Sequence, residues 1–295
     1  LGVLLFPSSA HIGSLSLSSS VQTDEYAALT QQVADLRAEG AELAAKLADL
    51  NTAEWSLRTT FKQWTVWDVV AHLHLSDHMG ITSLQGEAPF RALMHSMRDA
   101  RVPMAAFARR WLGDISGPEL LSRWQLLLQD LCDQLAATDP AQRLPWAGPS
   151  MKPRMFTTAR QMETWAHGWE IWDLFGGDRP ASDRLYNVAT IGVRTFGWTF
   201  ANRGVEPPGQ PPRVELIAPS GARWIWNEGQ LEDSVQGSAV EFCQVVTQVR
   251  NIADTALVVN GAVAQQWMAI AQCFAGPPAD PPLPGTRHPA ETHRP

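Results

Sequence analysis

Residues 64–84, WTVWDVVAHLHLSDHMGITSL, constrain the fold most. Thr65 is followed three residues later by Asp68, a capping box in which hydroxyl and carboxylate satisfy free backbone N–H groups at a helix start. The helix that follows is apolar on most sides, so it belongs inside a bundle. Companion helices are present. Residues 24–50 are rich in Ala, Leu, Glu and Gln with apolar residues at helical spacing, and Gly40 interrupts this run without ending it. Residues 89–112 predict a weaker helix that Pro103 kinks or breaks. Ser116, Pro118 and Glu119 open another helix. After the Pro-studded connection 144–156, the stretch TTARQMETWAHGWEIWDLFGG (157–177) predicts a helix with Thr158 and Gln161 as its capping pair and Gly176-Gly177 as its stop. Four main helices plus a shorter piece pack most economically as a four-helix bundle.

The pattern changes after residue 180. Residues 182–201 predict a helix and 202–213 a Pro/Gly loop. RVELIAPSGARWIW predicts two short strands around a Ser-Gly turn. SAVEFCQVVTQV predicts a helix, TALVVNG a strand and turn, and AVAQQWMAIAQCFAG a final helix. The fold class is therefore α+β. The boundaries read as a disordered Ser-rich tail over 1–22, a helical bundle over 23–180, a small α/β domain over 181–278 and a disordered Pro-rich tail over 279–295. His288 and His293 are solvated tail residues on this reading.

A net charge of −7 and no basic run exclude non-specific nucleic-acid binding. LGVLLF is too short to span a membrane and lacks the basic flank of a signal peptide, so a cytoplasmic location is expected. Cys132, Cys243 and Cys273 lie far apart in apolar helical contexts and read as buried thiols in a reducing compartment. Thirteen tryptophans point to a bulky core.

Chemistry concentrates in two helices. Glu163 and His167 are four residues apart, so their side chains can reach one point. They border an apolar arc of Ala159, Met162, Trp165, Ala166, Trp169 and Trp172, with Arg160 and Glu170 nearby. A carboxylate oxygen and an imidazole nitrogen suit a divalent cation such as Zn²⁺ or Ni²⁺. By spacing alone, the same pair also fits an ordinary helix edge. The capped helix adds His72, His74 and His78, of which His74 and His78 are themselves a chelating pair. Periodicity leaves open whether His72 or that pair is the ligand.

FKQWTVWDVVAHL resembles the W-T-x-x-D-V-x-A-H-L segment of the DinB-like metal-binding superfamily, and TARQMETWAHGWEIWDLFG resembles its R-x-x-E-x-x-x-H-x-x-D/E segment. The version nearest this chain is the mycothiol-dependent maleylpyruvate isomerase family with its actinobacterial relatives, and the resemblance spans roughly residues 25–278. It implies a DinB-like four-helix bundle holding one divalent metal, zinc or nickel, through His72, Glu163 and His167. Asp68 and Arg160 are implied as supporting residues. A sterol-carrier-like second domain would contribute basic residues to the pocket, with Arg213, Arg223 and Arg250 as weak candidates that read otherwise as surface charges. The implied cosubstrate is mycothiol, because a divalent cation favours the thiolate form of a thiol. The implied activity is isomerisation of an activated double bond or S-transfer to an electrophile. The partners would be small molecules, and the chain a monomer or homodimer. A metal-dependent hydrolase and a non-enzymatic ligand-binding protein with a structural metal are the competing readings.

Overall fold

The structure is a computed structural model that describes residues 13–288, with side chains from residue 23 onward. Ten helices and a four-stranded sheet make it an α+β protein among the described residues. In chain order the first half contains α1 (Gly13–Ala48), α2 (Val66–Leu84), α3 (Glu87–Asp99), α4 (Met104–Leu112), α5 (Gly117–Ala136) and α6 (Pro153–Phe175). The four long helices close on one another: α1 packs on α5 and α6, and α2 on the same two. Leu29, Leu36 and Leu43 recur at seven-residue intervals along α1 and meet Trp124, Leu128 and Leu131 of α5 in one core. Each such leucine contributes about 1.5–3 kcal/mol by leaving water. Gly40 sits where α1 crosses α5: a Cβ there would lie 2.1 Å from Leu128 Cδ2. The glycine is thus a close-packing point within a continuous helix.

The capping box at α2 forms as expected. Thr65 Oγ1 accepts the Asp68 N–H, and Asp68 Oδ2 accepts the Thr65 N–H at 2.9 Å. Pro103 divides α3 from α4 and caps the latter. The start of α6 differs from expectation. The helix begins at Pro153, five residues before Thr158, because proline at the first helical position is already set for the helix. Thr158 is therefore interior: its hydroxyl donates to Arg154 O and accepts from Gln32 Nε2. Gly176 ends the helix with φ 68°.

The second half contains α7 (Tyr186–Arg194), α8 (Phe196–Ala201), β1 (Arg213–Ile217), β2 (Arg223–Trp226), β3 (Ser234–Ser238), α9 (Ala239–Val246), β4 (Val258–Asn260) and α10 (Ala262–Ile270). The sheet order is β2-β1-β3-β4; β1 pairs antiparallel with β2 and parallel with β3, and β3 antiparallel with β4. The helix expected over 182–201 is divided at Thr195 into α7 and α8, and two further elements depart from the sequence reading. β3 has one buried apolar residue, Val235, too little for an alternating pattern to register. α10 stops at Ile270, where buried Gln272 diverts the chain by hydrogen bonds to Thr199, Phe274 O and Pro277 O.

The described residues extend into both terminal segments. Residues 1–12 lie outside the described residues, but the backbone of α1 reaches back to Gly13, with no proline in its span to stop it. At the other end, residues 279–288 are stitched onto the second half. Gln248 Nε2 donates to Ala279 O, Arg203 pairs with Asp280, Asn251 Nδ2 donates to Pro282 O, and Gly285 N–H donates to Asp254 Oδ1. Proline removes N–H donors but leaves carbonyls, and side-chain amides use these carbonyls. Residues 289–295, with His293, lie outside the described residues. No helix among the described residues is long and apolar enough to cross a membrane.

α6 joins the two halves. Phe156, Ile171 and Trp172 belong to the first core, and Met162 and Trp165 to the second. The partly exposed edge expected beside Glu163 is therefore mostly covered.

Candidate metal centre

His72 lies on α2, and Glu163 and His167 one turn apart on α6. The helices present them to one another: His72 Nε2 is 3.3 Å from Glu163 Oε2, and His167 Nε2 is 3.6 Å from the same oxygen. One donor atom from each residue lies within 4.8 Å of the others, and this is the one such cluster of three among the described residues. A tetrahedral ion with bonds of 2.0–2.2 Å has ligand–ligand edges of about 3.4 Å, so these separations fit a single ion. The side chains are 12%, 23% and 11% exposed, shielded but reachable.

The electrostatics suit a cation. Burial pushes His72 down to about 4, assisted by the neighbouring His167, so its ring is neutral at pH 7, the form in which an imidazole ligates a cation. Burial alone would raise Glu163; hydrogen bonds with His167 and His72 outweigh it and hold the carboxyl well below its ordinary value. Two nitrogens and an ionised carboxylate form a donor set of borderline hardness, which fits zinc or nickel.

The ring orientations come from packing. His72 Nδ1 and His167 Nδ1 are buried without a hydrogen-bond partner among the described residues. Aromatic side chains from the loop before α2 hold them instead. Trp64 stacks on His167 at 5.9 Å between centroids and 15° between planes, and it meets His72 at 5.3 Å. Phe61 meets His167 edge-on at 5.3 Å. The loop carries Lys62 and Gln63 at φ 50° and 57° and closes through the Arg58–Thr65 bridge.

The other candidates fall elsewhere. His74 and His78 face Trp111 of α4 at 5.4 and 4.7 Å and join no carboxylate cluster. Asp68, one turn before His72, bonds Thr65 in the cap and pairs with Arg109 of α4 at 2.6 Å; neither partner belongs to the His–Glu–His cluster. Arg160 is 2% exposed and donates from Nε to Asp77 Oδ1 at 2.9 Å, while Asp77 Oδ2 accepts from Trp124 Nε1. It acts on the site through its charge, which helps hold His72 neutral. Arg213 and Arg223 pair with Glu215 on the sheet. Arg250 is not a surface charge: it is 6% exposed and grips Asp173 of α6 through two hydrogen bonds, at 2.6 and 2.7 Å.

Three residues near the site escaped the sequence reading as functional. Phe61 and Trp64 lie in a loop whose contacts no periodicity encodes. Arg287 comes from the C-terminal segment, with its guanidinium 5.1 Å from the centre of the Phe61 ring and 3.7 Å from Glu170 Oε1. Glu170 is one turn beyond His167, and burial pushes it up to about 8 against the pull of Arg287.

Fold and site together describe an α+β protein with a His–Glu–His cluster between α2 and α6. Residues 36–172 match the family model of the mycothiol maleylpyruvate isomerase N-terminal domain. Two uncharacterized proteins of Mycobacterium tuberculosis, from strains H37Rv and CDC 1551, are each 39% identical over 246 residues, covering 83% of this chain and 96% of theirs. Over residues 36–172 the chain belongs to the mycothiol maleylpyruvate isomerase N-terminal domain family. Crystal structures of the mycothiol-dependent maleylpyruvate isomerase and of a single-residue mutant of it align with TM-scores of 0.47 and 0.48, at 18% and 16% identity. Each alignment covers 74% of this chain and 88% of the other.

Proposed function

We propose that this protein is a divalent-metal-dependent enzyme that uses mycothiol as a nucleophile, either to isomerise an activated double bond or for S-transfer, in which the thiol becomes joined through its sulfur to an electrophile. The convergence of His72, Glu163 and His167 on one point carries the reading, and family membership supports the choice of thiol. A bound divalent cation would supply Lewis acidity, favouring the thiolate form of a thiol at neutral pH. The chain's own residues do the rest. His72 and Glu163 are in their ligating protonation states at pH 7. Three protein ligands leave room for a small molecule, as in catalytic sites. Trp64 and Phe61 wall the site and exclude water from one side. Arg160, fixed by Asp77, keeps a positive charge behind His72.

The test is metal analysis of purified wild type after reconstitution with Zn²⁺ or Ni²⁺, beside His72→Ala, Glu163→Ala, His167→Ala and His74→Ala. Near-stoichiometric metal is expected in wild type and His74→Ala, with loss in the other three. Metal retained in His72→Ala would move the site to His74 and His78. No metal in wild type would sink the enzyme reading. Mycothiol binding followed by turnover of maleylpyruvate or a general electrophile supports the thiol chemistry. Hydrolysis without thiol would favour a hydrolase, and a loaded but silent protein a structural metal.

A further inference from the structure

The two ligand rings have no hydrogen-bonding partner at Nδ1 among the described residues, so beyond their shared contact with Glu163 through Nε2, the side chains pressing on them set their angle. Trp64 presses from within the first half. Phe61 is itself backed from outside. The Arg287 guanidinium lies over its ring at 5.1 Å, and the Phe61 backbone N–H faces the Glu170 carboxyl. Cation–aromatic contacts of this kind are worth about 0.5–2 kcal/mol, more as water is excluded. Arg287 is only 15% exposed and is anchored by its Nη1 donating to Gln248 O. Its own segment is fastened at Ala279, Pro282 and Gly285. The C-terminal strap thus reaches from the second half, across α6, to the loop that touches a ligand ring.

We propose that Arg287 is a positioning residue for the metal centre: the C-terminal strap clamps Phe61 against His167 and so fixes the angle and accessibility of that ligand. The inference rests on the metal reading above, and its test separates the two.

Arg287→Ala is compared with wild type, with Arg287→Met, which keeps bulk over Phe61 without charge, used where the alanine variant does not fold. Two measurements decide. In metal-free protein, hydrogen exchange of the Phe61 amide is expected to rise about tenfold, with exchange across α2 unchanged. In protein loaded with Co²⁺, the visible ligand-field bands are expected to shift, and extraction by a chelator to quicken about tenfold, the usual scale for loss of an outer support. Unchanged Phe61 exchange overturns the proposal. Faster exchange with unaltered cobalt bands and extraction also overturns it, since the strap would then be structural only. If wild type takes up no Co²⁺, the metal reading fails. The clamp is then judged by diethylpyrocarbonate labelling of His167: faster labelling in Arg287→Ala supports it, and an unchanged rate overturns it.

Discussion

At the residue scale, the most consequential group outside the His72–Glu163–His167 cluster is Asp77, with no exposed surface. It neutralises Arg160 and accepts from Trp124, binding α2 to α6 and α5 at once. Removing one partner of a buried pair leaves an uncompensated charge and costs about 3–5 kcal/mol. Asp77→Ala is therefore expected to lose about that much in urea unfolding, while Asp77→Leu with Arg160→Met recovers much of it. His74 provides a second test. Burial, with help from His78, lowers it from 6.5 to about 4. Between those values the unfolded chain binds a proton that the folded chain refuses, so this contribution to stability is lost as pH falls from 6.5 towards 4. The urea midpoint of wild type should drop over that window more steeply than that of His74→Phe. Glu163 and His167 were legible in the sequence because helical spacing places them together. Asp77 was not legible as the partner of Arg160, since 83 residues separate them and only the packing of α2 on α6 joins them.

Among the elements, α6 has the least freedom. Its polar residues are used by partners from elsewhere: Gln161 by Asn187, Asp173 by Arg250, Glu170 by Arg287. Gly168 shows how tight the fit is. A Cβ there would stand 2.8 Å from an Arg179 nitrogen, and that guanidinium is pinned by Trp165 O and Glu39. Gly168→Ala should therefore lower the thermal midpoint, with a cost of about 1–3 kcal/mol for forced repacking. Periodicity and caps revealed α2, α5 and the β1–β2 hairpin because those signals are local. They missed β3, whose pairing with β1 is non-local, and they placed the start of α6 at a plausible cap instead of at Pro153. The loop holding Phe61 and Trp64 has no period to read.

For the molecule as a whole, the thiols report the integrity of both cores. Cys132 lies in the first, Cys243 and Cys273 in the second, and all are buried. Burial pushes Cys132 up to about 12 and raises the other two, so none is a ready nucleophile. A thiol reagent should label less than one cysteine per native chain and all three after denaturation. Cutting the chain after residue 278 should raise labelling of Cys273 ahead of Cys132, because the strap lies over the second core.

Because α6 belongs to both cores and also carries Glu163 and His167, the halves of this protein are not interchangeable cassettes. A chimera joining residues 1–180 to the second half of a distant relative would inherit mismatched neighbours for Met162, Trp165 and Asp173. The mismatch would reach Glu163 and His167 within about one helical turn. Changes in α7, α9 or the strap are therefore felt around Glu163 and His167, and the two halves are constrained to change together.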